Sequence, residues 1–281
     1  MTRVNRVQRN KTGFIGGGNM ASALIGGLLD GGYPKESIWV SDIDPSQLGS
    51  LGSQYGVRVT DSNVELVENV DVVVLAVKPQ VARAVVEGIG ARGLQPGAIM
   101  ISVVAGIRGS DIEKWLGQPI SLVRAMPNMP ALLGAGATGL YANACVQADQ
   151  RDLVESIMGS VGLVVWLESE LQMDGVTALS GSGPAYFFLL MEAMEDSIHE
   201  LGLDRETARA LIEQTAFGAA RMALEGKESA AELRRKVTSP GGTTQKAIEL
   251  FEQGGFHTLV AEALLAARDR SIEMSRELGG E

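Results

Sequence analysis

Up to about residue 168, short apolar runs alternate with stretches of helical periodicity. Phe14-Ile15 end a buried strand, and Asn19 onward starts an amphipathic helix. Ser37–Asp42, Gly56–Val59, Ile99–Val104 and Ser121–Met126 read as further strands, with Gly136–Ala142 and Leu163–Leu167 after them. Asp71–Val77 is apolar without alternation, the pattern of a strand covered on both faces of a parallel sheet, and Lys78-Pro79 ends it. Helix starts are marked between these runs: Asp44-Pro45-Ser46 as cap and first turn, Asp61-Ser62-Asn63 with Asn63 as a cap, and Ser110-Asp111-Ile112-Glu113. Two further helices are expected at about 80–89 and 149–160. This alternation predicts an α/β fold with a doubly wound parallel sheet of Rossmann type, whose ligands lie beyond the carboxyl ends of the strands.

From about Glu170 strand signals vanish and helical periodicity takes over. The expected division is therefore 1–168, a dinucleotide-binding domain, and 169–281, a helical domain. Ser180–Ala185 interrupts the first helical region, with Pro184 either kinking a helix or starting a new one. Phe187, Leu190, Met191, Met194, Ile198 and Leu201 recur at helical spacing and are expected to form one buried face. Gly202 ends that helix and Asp204 caps the next. The last helix carries Val260, Leu264, Ala267, Ser271, Met274 and Leu278 in a narrow seam rich in small residues, suited to close pairing, including pairing between subunits.

The turn after the first strand carries the candidate chemistry. Gly16 and Gly18, with Ala21, fill the glycine positions of a dinucleotide fingerprint, so the backbone and the amides of the new helix can approach a pyrophosphate. Asp42 lies about 20 residues beyond Ala21, the separation at which such folds meet the adenine ribose. It would accept hydrogen bonds from a free 2′-hydroxyl and repel a 2′-phosphate, unless the side chain turns away and Ser41 or backbone amides meet the phosphate. Three segments converge on this edge: Gly16, Gly18, Asn19 and Met20; Ala76, Val77, Lys78 and Pro79; and Met126, Pro127 and Asn128. Met126–Pro130 reads either as a rigid extended loop that holds a flat ring or as a simple strand-ending turn. Lys78 either contacts the cofactor or pins the chain end.

Composition narrows the classes. With 34 acidic against 24 basic residues the net charge is −10, which disfavours nucleic acid or anionic membrane as the main partner. Cys145 is the single cysteine, so an intramolecular disulfide or a cysteine-rich metal site is not expected, and the cytoplasm is the simplest compartment. Arg3, Arg6, Arg9 and Lys11 form a basic arm that no long apolar run follows. His199 and His257 fall in no motif.

The octet Val237–Thr244 cannot continue a helix across Pro240 and two glycines. It makes either a nest for a small carboxylate, ahead of a helix from about Gln245, or a helix–helix turn with hydroxyl caps. With Gly13–Ala21, Ala76–Pro79, Met126–Asn128, Ser180–Tyr186 and this octet in order, residues 12–278 resemble the pyrroline-5-carboxylate reductase family. The most specific match is Ser239–Thr244. The resemblance implies reduction of the cyclic imine of pyrroline-5-carboxylate to proline with NADPH, or NADH as the alternative. It implies a homodimer interlocked through C-terminal helices, and in many members a decamer. It further implies that Ser239 and the amides of Gly242 and Thr243 hold the substrate carboxylate, that Thr244 meets the ring nitrogen, and that Asn63 contacts the cofactor. A threonine hydroxyl is a poor acid, so Thr244 orients the nitrogen or relays a proton from water. Two alternatives keep the fold: a 3-hydroxyacid dehydrogenase, against which the absence of lysine from Thr177–Tyr186 counts, and a non-catalytic NAD(P)-sensing protein.

Overall fold

Eight strands form one sheet in the order β3-β2-β1-β4-β5-β6-β7-β8. They are β1 (Thr12–Ile15), β2 (Ile38–Ser41), β3 (Arg58–Thr60), β4 (Val72–Leu75), β5 (Ile99–Ser102), β6 (Ser121–Met126), β7 (Gly136–Ala142) and β8 (Gly162–Trp166). The structure is a computed structural model that describes residues 10–90 and 92–279; Arg3, Arg6 and Arg9 of the basic arm lie outside the described residues. The first six strands pair in parallel. β7 runs antiparallel to β6 and β8 is parallel to β7, which refines the parallel sheet expected from the sequence. The physical reason is the short link between β6 and β7, which holds only a 3₁₀ turn at Met129–Leu133 where a parallel return needs a crossover of about a dozen residues. That turn also replaces the extended Met126–Pro130 loop.

Apolar layers lie on both sheet faces. One groups Phe14, Val40, Val74 and Ile101 with α1 (Asn19–Asp30), the other Ile15, Leu75 and Met100 with α3 (Asn63–Asn69) and α4 (Pro79–Gly90). Strand edges are stitched where the site begins: the Gly16 amide donates to the Ser41 carbonyl at 2.8 Å, and the Ala76 amide to the Ile15 carbonyl at 2.8 Å. Helix starts follow the side-chain chemistry, with two corrections. Asp44 caps α2 (Pro45–Tyr55) as expected, its carboxylate accepting from the Ser46 amide. The cap of α3, however, is Ser62, which accepts from the Glu65 amide, so Asn63 is the first helical residue and its side chain is left for another task. Likewise α5 (Gly109–Leu116) starts before Ser110, with Asp111 accepting from the Arg108 amide and Glu170 from the Gly109 amide at 2.7 Å.

The chain divides into two compact units: one runs to Ser182 and takes in the chain from Ala267 onward, the other is Gly183–Ala266. The change of element type near residue 170 and this packing boundary are thus different places. In the first unit, α6 (Ala148–Gly159) precedes β8, and α7 (Gln172–Val176) runs into a π-turn over Thr177–Gly181, closed by the Ser182 amide on the Thr177 carbonyl at 2.8 Å. Pro184 stands in the first turn of α8 (Gly183–Asp196), starting a segment rather than kinking one.

The second unit continues through α9 (Ile198–Leu201), α10 (Arg205–Glu225), α11 (Ala230–Lys236), α12 (Thr243–Gln253) and the first part of α13 (Phe256–Gly279). Gly202 ends α9 in the left-handed region at φ 70°, and Asp204 caps α10 by accepting from the Thr207 amide. The face expected to be buried is not buried within the chain: only Ile198 is, while Phe187 and Leu201 are 66% and 68% exposed. Periodicity marks a packing face without saying which chain supplies the opposite one. The seam of α13 splits. Val260 is exposed, whereas Ser271 and Ser275 are buried in the first unit, Ser271 donating to Asp174 at 2.7 Å. Gly279 lies against Asp111 so closely that a Cβ there would stand 2.7 Å from a carboxylate oxygen. The C-terminal half of the seam therefore pairs within its own chain. No helix among the described residues is long and apolar enough to cross a membrane.

Candidate active site

The glycine turn at the end of β1 is built around one obligatory glycine. Gly16 has φ 96°, and a Cβ there would lie 2.6 Å from the Ala76 carbonyl oxygen and 3.1 Å from Val77 Cγ1. The expected segments Gly16–Met20 and Ala76–Pro79 are thereby in contact. Gly17 is held by Asp42, whose Oδ2 accepts its amide at 2.7 Å, and by Gln47, whose Nε2 donates to its carbonyl. Gln47 was not among the residues expected; the signal for it is the Asp44 cap, which starts α2 so that this side chain reaches back to the glycine turn. At Gly18, the cap of α1, a Cβ would meet nothing within 4 Å. The first bond of α1 is from the Ser22 amide to the Gly18 carbonyl at 2.9 Å, so the amides of Asn19, Met20 and Ala21 precede the helical ladder. An open cradle, unladdered amides and the positive end of a 12-residue helix suit a pyrophosphate.

The remaining cofactor positions divide by how far the fold uses them. Asp42 Oδ1 also accepts from the Asp44 amide at 3.0 Å, so the carboxylate is fixed toward the turn. Asn63 Oδ1 accepts from the Ser41 hydroxyl at 2.7 Å, which leaves its amide nitrogen as a donor. Lys78 is exposed at the end of β4, and among the described residues its ammonium makes no ion pair. Met126 is half-buried and Pro127 and Asn128 are buried. The Asn128 side chain is engaged at both ends: its Oδ1 accepts from the Ala137 amide at 2.9 Å and its Nδ2 donates to the Ser180 carbonyl at 3.0 Å. It ties β6, the start of β7 and the π-turn together. Gly181 of that turn touches Met126, since a Cβ there would come 2.5 Å from Met126 Cε. The missing side chain of Gly181 makes room for this methionine. A partly buried ion pair, Arg124 to Glu170 at 3.0 Å, braces the same strand.

In the helical unit the octet is a loop into α12, which starts two residues earlier than expected, at Thr243. Gly241 occupies the left-handed region at φ 71°, and its amide donates to Gln245 Oε1 at 2.7 Å. The Gly242 amide is spent on the Ser239 carbonyl at 3.0 Å, so it closes the turn and is not a free donor. No side chain caps α12, and its first bond runs from the Lys246 amide to the Gly242 carbonyl. The amides of Thr243 and Thr244 accordingly stand ahead of the ladder, with both side chains and that of Ser239 exposed. An anion suits this end. His199 is exposed, and His257 packs edge-on against Phe256 at 6.4 Å between ring centroids.

Comparison with known proteins matches both parts. Residues 170–274 match the family described as pyrroline-5-carboxylate reductase dimerisation, and residues 11–106 the family described as NADP oxidoreductase, coenzyme F420-dependent. The chain is 52% identical to a pyrroline-5-carboxylate reductase of Pseudomonas aeruginosa over 95% of its own length and 97% of that protein. Among solved structures it resembles the pyrroline-5-carboxylate reductase of Coxiella burnetii, with a TM-score of 0.90, 47% identity, and coverage of 95% of this chain and 98% of that one. It also resembles the Plasmodium falciparum pyrroline carboxylate reductase with NADP bound, with a TM-score of 0.84, 30% identity, and coverage of 95% and 99%.

Proposed function

The chain belongs to the pyrroline-5-carboxylate reductase family, and from that premise we propose that it reduces the cyclic imine of 1-pyrroline-5-carboxylate to L-proline, the last step of proline biosynthesis. The hydride donor is NADPH, with NADH as the alternative. When bound, the reduced nicotinamide supplies the hydride that the imine carbon accepts.

The chain's own residues bind and orient. Gly16, Gly18, Asn19 and Met20 hold the pyrophosphate by close backbone approach and helix-end amides. Asp42 and Asn63 hold the ribose end, while Ala76, Val77, Lys78, Pro79, Met126, Pro127 and Asn128 line the strand edge. Residues 1–168 thus serve the dinucleotide, and residues 169–281 serve substrate and assembly. The substrate carboxylate sits on the Thr243 amide and the Ser239 hydroxyl, with Gly242 shaping the turn. The Thr244 hydroxyl, second residue of α12, meets the ring nitrogen and orients it or passes it a proton from water. The observation that carries this reading is the start of α12, a helix end without a side-chain cap of its own, behind Ser239–Thr244.

The molecule is a homodimer through its C-terminal helices, a reading supported by the dimerisation family match and by the uncovered apolar residues of the helical unit; a decamer of five such dimers is the larger assembly. The cytoplasm is its compartment. Purified protein given NADPH and pyrroline-5-carboxylate should consume the reduced nicotinamide and yield proline. Thr244→Ala should lower kcat about tenfold, with cofactor affinity unchanged, because only an orienting contact to the reacting atom is lost. Saturating reagents without turnover overturn the assignment, and unchanged kinetics of the variant overturn the role of Thr244.

A further inference from the structure

We propose that the ribose end of the dinucleotide site, from Ser41 to Ser46, selects NADH over NADPH. The inference rests on the cofactor reading above and reverses the order of the two donors for this chain. A 2′-phosphate needs donors, ideally basic ones, and the hydroxyls around the end of β2, with the amides of Gly17, Asp44 and Ser46, already have acceptors. The Ser41 hydroxyl donates to Asn63. The amides of Gly17 and Asp44 both donate to Asp42. The amide and hydroxyl of Ser46 both donate to Asp44 Oδ1, at 2.8 and 2.7 Å. On the neighbouring strand the Thr60 hydroxyl donates to Glu65.

Charge points the same way. Between Ser41 and Leu51 there is no lysine or arginine, whereas Asp42 and Asp44 bring two carboxylates. The Ser46 hydroxyl and amide hold the Asp44 carboxyl below the usual carboxylate range. Arg58 of β3 is not a substitute: it lies over the Trp39 ring, 5.2 Å from its centroid, in register with Trp39 and two residues short of the strand's carboxyl end. The charged side chains of the loop are therefore acceptors alone. The lone pairs of Asp42 that Gly17 and Asp44 leave unused suit the hydroxyls of an unphosphorylated ribose. Two internal bonds also keep this carboxylate from turning away to make room for a phosphate.

Calorimetric titration of the purified full chain with NADH and with NADPH tests this without reference to turnover. At low salt NADH should bind at least about tenfold more tightly, and the gap should narrow as ionic strength rises, because the exclusion is electrostatic. Ile43 is 95% exposed, so Ile43→Arg adds a cation to the loop without disturbing the core. That variant should gain roughly threefold or more in NADPH affinity while NADH affinity stays within about twofold. Equal or tighter binding of NADPH by the wild-type chain overturns the proposal, as does an Ile43→Arg variant with unchanged NADPH affinity. If NADH binds more tightly and no imine is reduced, the selectivity stands and the reductase reading falls. If neither nucleotide binds, both fall.

Discussion

The sheet unit and the helical unit are written with the same kind of apolar periodicity and meet opposite fates within one chain. In the first, Phe14, Val74 and Ile101 are fully buried. In the second, Phe187, Phe188 and Phe217 are 66%, 64% and 59% exposed, and Ile198 and Ala208 are its buried hydrophobic residues. Fully burying such a side chain is worth about 1.5–3 kcal/mol, so covering a handful of them rivals the ~5–15 kcal/mol net stability of a whole domain. Helical periodicity in the second unit thus marks apolar faces that the chain by itself leaves uncovered.

The largest expected effect breaks this contrast directly. Charges placed at two exposed aromatic positions, Phe187→Asp with Phe217→Asp, should abolish the dimer and lower activity by at least ~100-fold, because each buries an unpaired carboxylate at the contact. Val81→Asp is the control: Val81 is 49% exposed on α4 of the sheet unit, and its loss should leave assembly unchanged. Light scattering during size-exclusion chromatography reads both. A double variant of wild-type mass would show that the apolar faces of the helical unit serve something other than a second copy.

Much of the sheet unit was legible because its signals are local. Ser121–Met126 and Gly136–Ala142 carry their strand character in their own residues, and Asp44-Pro45 carries its helix start. What escaped depends on partners distant in sequence. Asn63 reads as a cap, yet Ser62 takes that place and Asn63 serves Ser41. Asn128 sits in a recognisable Met-Pro-Asn segment, but only the fold shows its amide spent between Ala137 and Ser180, 9 and 52 residues away. In the octet the composition pointed to a turn ahead of a helix. The bond from Gly242 to Ser239, which removes one of the expected donors, is a matter of backbone geometry that composition does not carry.

A second prediction sharpens the contrast inside the sheet unit, where two glycines of one turn do different things. Gly16→Ala must place a Cβ 2.6 Å from the Ala76 carbonyl at a φ of 96°, so it should destabilise the fold by about 2 kcal/mol or more and lower Tm accordingly. Gly18 is extended at φ −70° with open space around its Cα. Gly18→Ala should therefore leave Tm unchanged and weaken dinucleotide binding about tenfold, since the methyl occupies the cradle. A Gly18 variant with wild-type affinity would move the pyrophosphate away from this turn.

The smallest effect comes from two equivalent caps, one in each unit. Asp44 and Asp204 both lie below the usual carboxylate range, Asp44 chiefly through the Ser46 hydroxyl and Asp204 chiefly through the Thr207 amide. A depressed folded-state pKa means the stabilisation is fully present above the unfolded value of about 3.9 and is lost as pH falls through the folded value. Thermal melts should thus show a small advantage of wild type over Asp44→Asn and over Asp204→Asn that is flat from about pH 5 to 7 and disappears in stronger acid. The two differ in one respect. If the helical unit is stable only as part of a dimer, the transition that Asp204→Asn shifts should rise with protein concentration, because association draws the folded protomer out of the unfolding equilibrium. The transition that Asp44→Asn shifts belongs to a unit with its own core and should respond less. Equal concentration dependence of the two would mean that the units melt as one, and the contrast between them would then be one of exposure and not of stability.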